Sequence, residues 1–100
     1  MRIQFHRAAS EELAGAASWY EAQQPGLGDD LLHEIDRALL TIDESPQAWP
    51  MLRAEAGLRR FLLSRFPHAI IYDCVKNAVR VFAVAHNRRR PGYWRARRFQ

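Results

Sequence analysis

The apolar residues of this chain change period once. Up to Ser45 they recur at helical spacing, and from Leu58 onward they alternate. Ala9, Leu13, Ala16 and Tyr20 mark a first helix, with Ser10, Glu11 and Glu12 as its N-terminal signals. Leu27, Leu31, Ile35, Ala38, Leu39 and Ile42 line one face of a second, which should end near Ser45 because Pro46 disfavours a helical residue before it. Pro25-Gly26 joins the two tightly, so they form an antiparallel hairpin. Ile3–His6 alternates like a short strand before them. LRRFLLSR, AIIYDC and VRVFAVAH then read as three strands, separated by Phe66-Pro67 and Lys76-Asn77. Strict alternation puts Leu58, Arg60, Leu62 and Ser64 opposite Arg59, Phe61, Leu63 and Arg65, and Arg80, Phe82, Val84 and His86 opposite Val79, Val81, Ala83 and Ala85. The expected order is β-α-α-β-β-β, an α+β fold with an antiparallel sheet packed against an N-terminal helical hairpin and a short C-terminal turn or helix.

With 100 residues, 48% of them hydrophobic, the chain suits a single domain spanning 1–100 with one core. The loop QAWPMLRAEAG should run over the surface with Trp49 and Met51 tucked in. The single cysteine, Cys74, excludes an internal disulfide and reads as an inert buried thiol, which fits a reducing compartment. The N-terminus carries no apolar leader and no run approaches a membrane span, so a cytoplasmic protein is expected.

Charge is divided unevenly. Residues 1–55 hold ten acids against four arginines, a balance of −6. Residues 56–100 hold one acid, Asp73, against ten arginines and Lys76, a balance of +10. The last stretch, HNRRRPGYWRARRF at 86–99, carries six of those arginines. Planar guanidinium suits bidentate phosphate contact and base stacking, so a polyanionic partner such as RNA is one expectation.

The four histidines and Cys74 lack ligand spacing, so neither a metal nor another cofactor is expected. Metal-free RNA cleavage needs a base for the 2′-hydroxyl, cations for the developing charge and an acid for the leaving oxygen. His86 suits the base or the acid, Arg60 or Arg65 the charge stabiliser, and Tyr93 a stacking platform or proton donor. Arg59, Arg88, Arg89, Arg90, Arg95 and Arg97 would surround them as target-binding residues. The plainer reading is that Arg59 and Arg60 solvate an edge strand, His86 caps the sheet and Trp94 is a hydrophobic peg.

Three strings carry a resemblance to a known family: WYE…PGLG at 19–28, R-FP-x-x-I-x-Y from Arg65 to Tyr72, and AVAH…R-P-x-YW at 83–94. Together they resemble the RelE/ParE superfamily of toxins from type II toxin–antitoxin modules, across Ala9 to Arg97. The resemblance implies a growth-arresting plasmid-stabilisation toxin, neutralised by a cognate antitoxin that wraps it. It implies one of two targets: mRNA on the ribosome, cleaved without metal as RelE-like members do, or DNA gyrase, poisoned without nuclease chemistry as ParE-like members do. The lysine pair of RelE proper is replaced only in part, by Arg59-Arg60. A degenerate, non-toxic binding module is the remaining alternative.

Overall fold

The computed structural model describes residues 2–53 and 57–99. Residues 54–56, the end of the loop read from the sequence, lie outside them. The elements are β1 (Arg2–Phe5), α1 (Arg7–Gln23), α2 (Leu27–Glu44), β2 (Arg59–Leu62), β3 (His68–Val75) and β4 (Ala78–His86). They form the expected β-α-α-β-β-β order. The sheet runs β1-β4-β3-β2. β2, β3 and β4 make the antiparallel meander, while β1 lies parallel to β4, so the sheet as a whole is mixed. No helix among the described residues is long and apolar enough to cross a membrane.

α1 begins earlier than Ser10 suggests. His6 is its N-cap, with Nδ1 accepting from the Ala8 N–H at 3.0 Å. Glu11 and Glu12 therefore sit beyond the first turn, which frees Glu12 for another task. α2 buries the face that its spacing predicts: Leu31, Ile35, Ala38, Leu39 and Ile42 are all in the core.

Two glutamates close the turns that the motif strings mark. Gly26, at φ +89°, is the N-cap of α2 and has no capping side chain of its own. Glu21 of α1 does that work across the hairpin, accepting from the Gly26 N–H at 2.9 Å and the Gly28 N–H at 3.0 Å. Gly28 sits so near α1 that a Cβ there would lie 2.5 Å from the Ala17 carbonyl oxygen. Gly28→Ala is expected to push the helices apart and cost about 1–3 kcal/mol, read as a lower urea midpoint. Glu34 of α2, itself buried, accepts from the N–H groups of Ser64 at 2.6 Å and Arg65 at 3.1 Å. These donors are thus diverted from the ladder, which is why β2 ends at Leu62 rather than running to Arg65.

Between β3 and β4, Lys76 and Asn77 both take positive φ (49° and 62°), as a two-residue primed hairpin turn requires. Further along, the pairing shifts register: Ile71 faces Ala83 but Tyr72 faces Val81. This bulge breaks the strict alternation expected of β4. Val79, Val81 and Val84 pack in the core under the helices, while Phe82, Ala83 and Ala85 belong to the cluster on the other face. Phe61 and Leu63 join the helix side, and Leu58 the other. β3 is covered on both faces, and its residues from His68 to Asp73 are buried.

Tyr72 is fully buried, and its hydroxyl donates to the Pro46 carbonyl at 2.6 Å. Burial pushes its pKa up to about 12, with Arg59 acting in the opposite sense. Of the loop residues, Trp49 stacks edge-on against Phe61 as expected, but Met51 is exposed. Cys74, near the end of β3 where burial falls away, is only half-buried.

Candidate target-binding site

After His86 the chain folds back onto the sheet face opposite the helices. The Asn87 N–H donates to the Pro67 carbonyl at 2.8 Å and the Arg88 N–H to His86 Nδ1 at 3.0 Å. Gly92, at φ +83°, lets the chain turn through 91–96. Trp94 is then only 6% exposed, packed with Leu58, Ile71, Phe82 and Ala85, and Tyr93 lies edge-on to it at 5.1 Å. Arg98 closes the segment by donating to the carbonyls of Arg95 at 2.6 Å and Arg97 at 3.0 Å.

Glu12 ties this segment to α1. Its carboxylate accepts from the Val84 N–H at 3.0 Å, the Tyr93 hydroxyl at 2.7 Å, and Arg97 at 3.0 and 2.9 Å, with Arg89 at 3.5 Å. Arg97 also donates to the Phe82 carbonyl at 2.8 Å. The Arg89 guanidinium lies 3.8 Å from the Tyr93 ring centre, on its face. Burial alone would push Glu12 up. The hydrogen bonds from Arg97, Tyr93 and Val84 outweigh it and hold the carboxyl below its usual 4.5. Burial, then the Glu12 carboxylate, raises Tyr93, and the hydrogen bond to Glu12 raises Arg97.

A depressed carboxyl contributes stability that is present in full above its unfolded value and is lost as pH falls through the folded one. The melting temperature should therefore drop below about pH 4.5. Glu12→Gln should flatten that acid limb relative to the parent chain in thermal melts taken across pH.

The predicted site residues do not converge on one point. Arg60 and Arg89 line a cavity of about 230 Å³ on the open sheet face, with His86 at its edge and Trp94 in its wall. His86 also turns toward the helix side, where its ring meets His68 at 5.0 Å beside Tyr20. Burial, then His86, holds His68 below its usual 6.5, against the pull of Glu12. Arg65 stands apart at the β2–β3 turn, paired with Asp30 at 3.4 Å. Arg59 donates to the Trp49 carbonyl at 2.7 Å. Arg97 and Tyr93 are bound to Glu12, and Arg95 lines a second cavity near Phe99. Arg88 and Arg90 are exposed.

A family model described as the ParE toxin of the type II toxin–antitoxin system parDE matches residues 3–91. This chain belongs to the ParE toxin family. The fold of this ParE-family chain resembles a structure of the chromosomal ParDE toxin–antitoxin system from P. aeruginosa, at TM-score 0.75 and 15% identity, covering 86% of this chain and 95% of that one. It also resembles the isolated E. coli RelE toxin, at TM-score 0.67 and 20% identity, covering 95% and 93%. No curated protein matches it significantly. The strings quoted above thus belong largely to the ParE scaffold: Glu21 and Gly28 shape the hairpin turn, while Phe66, Ile70 and Tyr72 are core.

Sequence pattern does not single out Glu12, which anchors the C-terminal segment. Its signal is nonetheless there, since it lies among Ala9, Leu13 and Ala16 on the inward face of α1. A carboxylate on such a face needs a buried cation or donors, and the chain's arginines lie in its other half.

Proposed function

We propose that this ParE-family toxin arrests growth by binding DNA gyrase stoichiometrically, without cutting RNA, and that it does so in the cytoplasm. The observation that carries this reading is the dispersal of the acid–base set. The Tyr93 hydroxyl already donates to Glu12, His86 Nδ1 already accepts from Arg88, and Arg65 is ion-paired to α2. General acid–base catalysis requires such groups within hydrogen-bond reach of one substrate. What the C-terminal face offers instead is exposed charge, at Arg60, Arg88 and Arg90 with Arg89 beside them. That suits a protein surface of opposite sign.

The test is pulse labelling after induction, paired with supercoiling assays on purified gyrase. DNA synthesis should stop before translation, and supercoiling should fail near equimolar toxin. Translation stopping first, with transcripts cut inside polysomes, would overturn the reading in favour of a ribosome-dependent endonuclease. Undiminished growth at verified soluble expression would point to a degenerate module.

The same face is where we place the cognate antitoxin. An acidic segment laid across 86–99 would offset the +10 half and block the target in one step. Replacing Arg88, Arg89 and Arg90 together by Ala should abolish growth arrest and slow antitoxin association. The fold should lose no more than about 1 kcal/mol, the scale of exposed ion pairs. Association rates followed against salt, beside thermal melts of the triple variant, check both halves.

A further inference from the structure

A cavity of about 400 Å³ opens on the sheet face opposite the helices, on the other side of Trp94 from the Arg60–Arg89 cavity. One part of its lining is apolar and largely aromatic: Leu58, Phe82, Trp94 and Phe99. Phe82 and Phe99 meet edge-to-face at 4.9 Å, and the Arg80 guanidinium lies over Phe99 at 4.8 Å. Asp73 holds Arg80 in place with two bonds, at 2.8 and 2.6 Å, so these two charges offset each other. Arg97 is offset in the same way by Glu12. Arg98 is different. Its hydrogen bonds go to main-chain carbonyls, which leave its charge intact at the rim of the cavity, with Arg95 also in the lining. The buried indole N–H of Trp94 adds a donor that meets no acceptor among the described residues.

A bare phosphate would leave the aromatic wall unused, and an apolar molecule would set against its surface the Arg98 guanidinium, which meets no carboxylate among the described residues. A flat ring joined to a phosphate satisfies both. We propose that this cavity is a binding site for a nucleoside monophosphate, the base lying against the part-exposed Phe99 ring, which the buried Phe82 and Trp94 back, and the phosphate meeting Arg98. The volume is in the range of small-ligand pockets. Stacking on aromatic faces supplies affinity without demanding one particular base. The site is separate from the Arg88–Arg90 surface and does not depend on the identity of the growth-arrest target.

The test is nuclear magnetic resonance titration of the purified toxin with AMP, adenosine and inorganic phosphate in turn, at low and moderate salt. AMP should bind saturably and shift the signals of Trp94 and Phe99. Adenosine and phosphate should each bind at least about tenfold more weakly, because each keeps only one half of the recognition. Phe99→Ala should weaken AMP by about tenfold or more. Arg98→Gln, which keeps a donor for the main-chain carbonyls and so preserves the turn, should weaken AMP by a similar factor but leave adenosine unchanged. Phosphate binding as tightly as AMP would reduce the site to a cationic patch and overturn the proposal. So would AMP shifts confined to the Arg60–Arg89 cavity, or none at millimolar ligand with the chain folded.

Discussion

Replacing Glu12 by alanine is expected to destabilise this protein by up to about 3–5 kcal/mol, the scale for removing one partner of a fully buried ion pair, which this largely but not wholly buried pair approaches. The side chains of Arg97 and Glu12 are only 15% and 14% exposed. Alanine would leave the part-buried Arg97 guanidinium beside the Phe82 carbonyl without that counter-charge, and the Val84 N–H without its carboxylate acceptor. A domain of this size has a total stability of about 5–15 kcal/mol, so the variant should lose a large share of it and melt at a clearly lower temperature. Glu12→Gln keeps an acceptor and should lose less, about 1–3 kcal/mol. Urea midpoints for the two variants measure the difference. A loss under about 1 kcal/mol for alanine would mean that Arg97 swings out to water and that the tie to α1 is dispensable.

Deleting the chain from Tyr93 onward should have an effect at least as large. Tyr93 and Trp94 each belong to a residue type that buries about 150–250 Å². At about 25 cal/mol per Å², a nearly buried tryptophan contributes roughly 4–6 kcal/mol before entropy is counted. The deletion would also uncover Leu58, Ile71, Phe82 and Ala85 on the open face and strip Glu12 of Arg97 and Tyr93, leaving the longer contact to Arg89 as its cationic partner. The expected outcome is an aggregation-prone chain without a cooperative melt. An unchanged melting temperature together with full growth arrest would show that the stretch is a solvated tail. The Arg88–Arg90 triple variant is the contrast: it removes charge from the same stretch and leaves the anchors in place, so function and folding separate.

Much of the scaffold was legible from local pattern. α2 declares itself by one apolar face, the hairpin turns by Pro25-Gly26 and Lys76-Asn77, and β3 by a continuous apolar run. Trp94 as a peg was legible too, since two aromatics beside Pro91 bury more apolar area than a free tail can leave in water. The misreadings have one origin. A helix beginning around Ser10, β2 running to Arg65 and strict alternation in β4 each follow from neighbours in sequence. In each case a more distant group, or a register shift, took over. His6 caps α1 instead, Glu34 captures Ser64 and Arg65 across about thirty positions, and the bulge at Ile71/Tyr72 carries Val84 to the helix side.

By itself, the sequence determined the element order, the helical hairpin, the buried face of α2 and the split between an acidic first half and a basic second half, because all of these rest on period and composition. The tertiary structure alone decided which of the arginines face outward. Arg97 is drawn in by Glu12, 85 positions away, Arg80 by Asp73 and Arg59 by the Trp49 carbonyl, which leaves Arg60, Arg65, Arg88 and Arg90 among those at the surface, Arg65 paired there with Asp30. The reason is physical. A guanidinium enters a protein interior only where an acceptor awaits it, and the acceptor's place depends on how distant segments pack.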